Sequence, residues 1–387
     1  MKTSMNLITK NLEIMKTKSV FYLVLVIAIT FLVASCELEE GPQPEDKSIL
    51  PDKFMIDIPD AISKSVYKKS VAESDTISGD EIYAHLATFI CIGEDAAKVV
   101  QEIIWAIAIH GINKPMILSY VSDDDGRVKN LEVIEEAVYE GVNYEFQLTA
   151  TDAESESDPD GGKAIQIFWN RNPIKGVAIL KPYNIDRNTD DILTDLMYEI
   201  YYSEEGEVNG YEAVMIVQID EFPAALFGDR FAMDALKMFV GKKGDIIDVY
   251  GNSNHPNAQF FTDKVGFNWA FVASGKESLD IGVAELGLPP STLDETRRSV
   301  LLEDYSIKNV LTDELNTFFL ETFGIMPDSA SLSGYLKDAD APGYFDSEGF
   351  VTGGNSPGSE YDDIEERLQD LTPYNPKEIS ELLIEFE

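Results

Sequence analysis

Residues 143–151 read NYEFQLTAT, and their alternation decides the fold. Tyr144, Phe146, Leu148 and Ala150 fall on one side of an extended chain, with Glu145, Gln147 and Thr149 on the other. A helix, with its period of 3.6, would scatter these apolar residues around its circumference. A strand, with its period of 2, gathers them on one face. One apolar and one polar face mark an antiparallel strand half-covered by a core. Similar patterns recur in KAIQIFW (163–169), GVAILK (176–181), LMYEIYY (196–202) and YEAVMIVQI (211–219). They resume in DIIDVY (245–250), FNWAFVA (267–273) and LDIGVAEL (279–286). The separators SDDDGR, SDPDGG, NRNPIKG and EEGEVNG are turn chemistry. Parallel neighbours would need crossovers of about a dozen residues or more. Such short connections imply a meander.

Helical periodicity brackets this region. One helical stretch begins near Asp80, and a stronger one runs from Glu94 through DAAKVVQEIIWAIAIH. Acids favour its start, His110 sits in its last turn, and Gly111 followed by Pro115 ends it. DRFAMDALKMFV (229–240) predicts a helix closing at Gly241. In the last hundred residues Thr292 and Glu295 form a capping box before RRSVLLEDY, and Thr312 caps DELNTFFLETF. A Gly-rich stretch, 343–359, then precedes two short final helices. The fold class is therefore α+β: a long antiparallel meander with flanking helices and a helical C-terminal region, with a curved half-barrel as one form it can take. The expected organisation is a leader (1–35), a tether (36–49), a sheet domain with helices (50–290) and a helical region packed on the same domain (291–387).

The leader is a sequence signal of its own. Lys16 and Lys18 precede an uncharged apolar run, Val20–Val33, which ends on the small residues Ala34 and Ser35. Charged start, apolar middle and small-residue exit make a secretory signal; the run falls short of the roughly 20 residues a spanning helix needs. Val33-Ala34-Ser35-Cys36 resembles the lipobox of bacterial lipoproteins. The resemblance covers the leader alone and implies cleavage before Cys36, with acyl chains on Cys36. Glu37, Glu39 and Glu40 resemble the acidic patch that follows the cysteine in surface-exported lipoproteins of the Bacteroidetes group. The location implied is the cell envelope, at an outer membrane, periplasmic or surface-exposed. ELEEGPQPEDKSI (37–49) reads as a flexible tether. Met15 opens a complete leader by itself, so translation from Met15 is an alternative to Met1.

The chain carries 30 basic and 70 acidic residues among 387, a net charge of −40. The leader holds four lysines and one glutamate, so the part after it is near −43. Such a surface repels nucleic acid and anionic headgroups, both of which are bound through basic patches. The membrane is then a partner only through the lipid on Cys36. With Cys36 acylated, Cys91 is the remaining thiol, and its setting, HLATFICIGED, suits a small buried hydrophobe.

Candidate chemistry is sparse. GNSPG (354–358) fits the G-x-S-x-G elbow around Ser356, but Pro357 has no N–H for an oxyanion hole, and His85, His110 and His255 all precede the serine. In DRNTDD, the residues Asp186, Asn188 and Asp190 stand at alternate positions, as in the first half of a calcium loop. Asp191 replaces the turn glycine, and Met197 stands where a closing glutamate belongs. ESDPDGG (156–162) offers a second half-match through Glu156, Asp158 and Asp160, with Ile167 at the closing position. Calcium is thus the one cofactor candidate, and solvated turns in an acidic chain account for the same residues. The stretch YGNSNHPNAQFF (250–261) reads as a loop gathering Asn252, Ser253, Asn254, His255 and Asn257. Such a loop at a sheet end can hydrogen-bond a polar ligand, although turns use the same residues. Trp169, Trp269, Phe267, Phe271, Tyr198 and Tyr202 alternate along strands, as core or as the lining of a cavity. The expected function is a non-catalytic binding module for a small or hydrophobic ligand or a surface partner. The alternatives are a glycoside hydrolase-like enzyme, whose two carboxyls would come from distant strands, and a structural envelope protein.

Overall fold

A computed structural model describes residues 49–64, 77–108, 111–189, 193–206, 210–223, 233–258 and 266–387. The leader, Cys36, nearly all of the tether, His110 and Asp190 lie outside the described residues. The described chain forms two compact units, one of residues 49–55, 95–223 and 383–387, the other of 56–94, 233–258 and 266–382. A helix, α1 (Gly79–Ala108), contributes its first half to the latter and its second half to the former.

The first unit is a meander of seven strands: β1 (Met116–Val121), β2 (Val128–Tyr139), β3 (Val142–Asp152), β4 (Lys163–Arg171), β5 (Ile174–Leu180), β6 (Met197–Ser203) and β7 (Ala213–Asp220). Each pairs antiparallel with its successor. The register carries the alternation from strand to strand. Val133, Leu148, Ile167, Ala178, Ile200 and Val217 lie opposite one another in a single row across β2–β7, and all are buried. A one-residue slip in any pair would turn that row toward solvent, so the core itself fixes the pairing. β2 and β3 are joined by Glu140-Gly141, both at positive φ (47° and 78°), the geometry of a type I′ hairpin turn.

On the face of that row, Trp169 stacks on Phe146 at 5.4 Å and donates its indole N–H to Ile49 O at 2.8 Å. Phe54 lies 5.8 Å from Tyr202, and its N–H is accepted by Gln101 Oε1 of α1. Gly176, paired with Tyr202, makes room: a Cβ there would stand 2.9 Å from the Phe54 ring. A further core cluster gathers Tyr139, Tyr144, Phe168, Ile179 and Met197 with Ile384. Segment 383–387 is held there by Ile384 N–H to Asp220 Oδ2 (3.3 Å) and Glu387 N–H to Gln166 Oε1 (3.0 Å).

The second unit continues with β8 (Ala235–Lys243), β9 (Ile246–His255), β10 (Phe267–Lys276), β11 (Ile281–Gly287), β12 (Gly343–Asp346) and β13 (Gly349–Gly353), again in antiparallel sequential order. Its longer helices beside α1 are α2 (Ile307–Phe323), α3 (Ser329–Tyr335), α4 (Asp362–Leu368) and α5 (Pro376–Ser380), with a π-helical turn at Ser299–Asp304. One face of β9–β10 receives Phe89 of α1, which touches His255 and Trp269 at 5.4 and 5.7 Å. The other face packs Val272 and Val283 against Leu301, Leu302, Ile364 and Leu368. Antiparallel strands with helices over them are the α+β class the sequence predicts.

Several local expectations change. Residues 235–240, predicted helical, are strand β8: ALKMFV is a short apolar run that either period accommodates, and neighbouring β9 supplies ladder bonds along its length. The stretch 80–108 is one helix and not two. α2 starts at Ile307, so Thr312 is interior rather than a cap. Thr292 and Glu295 form no capping box; Glu295 Oε1 instead accepts the N–H groups of Thr296 and Arg297, both at 2.9 Å. The Gly-rich stretch contains the hairpin β12–β13.

Candidate functional site

The proposed ligand residues sit in a strand and not in a loop. Asn252, Asn254 and His255 belong to β9 and are buried; Asn257 follows in an exposed turn. Period 2 divides them between two faces. On one, Asn254 Oδ1 accepts from Ser291 Oγ (2.7 Å) and Asn268 Nδ2 (3.2 Å), and Asn252 Oδ1 accepts the Tyr374 N–H (2.8 Å). On the other, His255 Nε2 lies 2.9 Å from Ser253 Oγ, under Phe89. The face of Asn252 and Asn254 continues at Asp248, which accepts from Ser274 Oγ at 2.8 Å and from the Arg367 guanidinium. These amides and carboxylates tie the chain from 291 to 375 onto the sheet.

The two half-matches to calcium loops converge in the first unit, at a corner built of opposite charges. Lys129, buried, reaches Asp125 Oδ2 at 2.8 Å and Asn184 O at 3.1 Å. Asp152, fully buried, is met by Arg127 Nε at 2.8 Å and Arg187 Nε at 3.3 Å. Asp158 takes Arg187 at 3.1 Å, and Asp160 takes Lys181 at 2.7 Å and Asn184 Nδ2 at 3.0 Å. Burial pushes the carboxyls of Asp125, Asp152 and Asp160 up, but these cations and nearby N–H groups more than offset it and hold all three below the usual range. Asp124 is raised, by burial first and by Asp186 and Asp125 next. Asp186 Oδ1 accepts the Asn188 N–H at 2.8 Å, and Asn188 Nδ2 donates to Asp124 O at 2.7 Å. Among the described residues no group of three or more His, Cys, Asp or Glu could hold a metal ion. The cations of this corner escape a motif reading, since Arg127, Lys129, Lys181 and Arg187 come from four separate turns and strands. The visible signal is an inward strand position filled by a charge, at Lys129 and Asp152.

The aromatic candidates are core: Trp169, Tyr198, Tyr202, Phe267 and Phe271 are buried, and Trp269 is half-buried between Phe89 and Phe267. Cys91 is half-buried on α1. Ser356 Oγ donates to Gly358 O at 3.0 Å within its turn. A surface cleft in the first unit, lined by Lys175, Tyr201, Ser203, Glu205 and Tyr211, holds about 130 Å³. That is below the roughly 300–1,000 Å³ of pockets that enclose a ligand.

The helical pair α2–α3 buries little of its surface. The buried side chains of α2 are Ile307, Leu311, Glu314 and Leu315, all in its first half; α3 buries none. Gly324, at φ 68°, ends α2 in the left-handed conformation, and Asp328 caps α3 by accepting the Ser331 N–H at 2.7 Å. Phe319 joins the two helices, 5.5 Å from Phe323 and 5.6 Å from Tyr335. At the tip, Leu320, Phe323, Ile325 and Met326 are 53, 46, 62 and 57% exposed. The sequence reading missed this feature because a Phe- and Leu-rich helix is ordinarily core. Among the described residues, no helix is long and apolar enough to cross a membrane. No protein-family model, curated protein or solved structure matches the chain.

Proposed function

We infer that the chain is an extracytoplasmic module, held to an envelope membrane through lipid on Cys36, that acts by binding a macromolecular partner through α2–α3. The observation that carries the reading is the cluster of four large apolar side chains exposed at one tip. Scattered exposed apolar residues are ordinary, whereas contiguous ones mark interaction surfaces. Two features count against small ligands. The polar groups of β9 are spent on the protein's own bonds, and the cleft beside Tyr201 is small. The curved half-barrel that a long meander can form stays with the ligand-carrier alternative. The reading takes no cofactor, because side-chain cations already meet Asp125, Asp152, Asp158 and Asp160 of the charged corner. Calcium is therefore expected to leave the melting temperature unmoved; a rise abolished by Asp186→Ala would instead place an ion at Asp186, Asn188 and Asp190.

Native mass spectrometry of the mature chain, purified from its own cells at low salt, tests the partner. A complex is expected with the wild type and lost in the triple variant Leu320→Ser, Ile325→Ser, Met326→Ser, whose circular dichroism stays unchanged. A bare-chain mass would overturn the reading, and a small-molecule increment would replace it with the carrier.

A further inference from the structure

We propose that the partner of the α2–α3 tip is a protein with an apolar groove rimmed by Lys and Arg, an inference that rests on the reading of α2–α3 as a docking element. Its argument is charge. From Asn309 to Leu336 the chain holds Asp313, Glu314, Glu321 and Asp328, and no Lys, Arg or His. Glu321 and Asp328 stand on either side of Phe323, Ile325 and Met326 in the sequence, and both are exposed. Asp328 is fixed in place by its cap to Ser331, whose hydroxyl and N–H hold its carboxyl below the usual range and so keep it charged. The tip is thus an apolar knob with a negative border. A groove that buries the knob must bring these carboxylates close to its own edge, where like charge costs and opposite charge steers and fixes register. A second copy would bring the same acids to the same border. An anionic lipid surface would repel them. A cationic rim is the complement that both removes the repulsion and rewards the approach.

The test is photo-crosslinking in living cells, with p-benzoylphenylalanine replacing Ile325 in the full chain and, as a control, replacing Leu279, which is also more than half exposed. The expected product is one discrete protein adduct from position 325 and none from 279. Its cross-linked peptide should carry Lys or Arg flanking apolar residues. Adding Glu321→Lys and Asp328→Lys should cut the yield at least about tenfold, and the purified pair should weaken as salt rises. Circular dichroism of the charge-reversed chain guards against loss of the hairpin. An adduct that survives charge reversal, or whose peptide lacks basic residues, overturns this inference and leaves the docking reading standing. A phospholipid adduct or an adduct of twice the chain mass assigns the tip to a membrane or to self-association. Absence of any adduct overturns both readings.

Discussion

Asp248 shows how much one buried carboxylate asks of its neighbours. Its side chain is 1% exposed, and it keeps its charge company through Ser274 and Arg367, the latter reaching it from α4. Removing one member of a buried pair is far worse than never having had it, because the remaining charge is left without water or partner. Arg367→Ala is therefore expected to cost about 3–5 kcal/mol, read as a lower urea midpoint, and Asp248→Asn in the same chain should restore part of it. An unchanged midpoint would show that Asp248 is hydrated. The corner around Asp152 predicts a pH dependence. Asp125, Asp152 and Asp160 have folded-state values below those of the unfolded chain. The stability they contribute is complete above the ordinary aspartate value of about 3.9 and drains away as pH falls through the lower folded values. The melting temperature should drop steeply below about pH 4, and Asp152→Asn should flatten that limb while lowering the plateau at neutral pH. A limb of the same slope in the variant would remove Asp152 from the account. Asp152 shows in the sequence only as a charge at an inward position of the alternation, and Asp248 does not show at all, since an aspartate near a turn in so acidic a chain looks solvated until its partners arrive from elsewhere in the chain.

The elements were more legible than the residues. Every strand read from alternation or an apolar run in 143–286 is a strand, because a half-buried antiparallel strand writes its two faces into the sequence one residue at a time. Failure came where that record is blank. ALKMFV in β8 is buried on both faces and reads equally well as a helix. GYFD and GFVT, in β12 and β13, are short and Gly-rich, so their pairing is specified by the edge of β11 rather than by their own pattern. The segment NSNH, read as a loop for its polarity, is held in β9 by a ladder to Asn268 and its neighbours. Contacts between elements are testable at Gly287, the last residue of β11. A Cβ there would stand 1.9 Å from Leu301 O in the π-helical turn, a backbone atom that cannot swing aside as a side chain end would. Gly287→Ala should cost about 1–3 kcal/mol, the range for overpacking a filled core, measured by urea denaturation. A loss near zero would mean that the turn at Ser299–Asp304 does not rest on β11.

At the scale of the whole molecule, the proposed membrane attachment has to be reconciled with the charge of the chain. Its net charge of −40 opposes contact with anionic headgroups, so surface attraction cannot do the holding. The proposed lipid on Cys36 would supply a route independent of charge: each methylene buried in a bilayer contributes about 0.8 kcal/mol, and more than one chain makes an attachment stable. If this is right, membrane association should be insensitive to salt and wholly dependent on one sulfur. Fractionation of cells carrying the wild type should place the protein in membranes at both low and high salt. With Cys36→Ser, the protein should be found soluble or as an uncleaved precursor. The intact mass of the wild type should exceed that of the chain from Cys36 by its acyl groups. Membrane association that persists in Cys36→Ser but washes off in salt would mean that the surface and not the lipid does the holding.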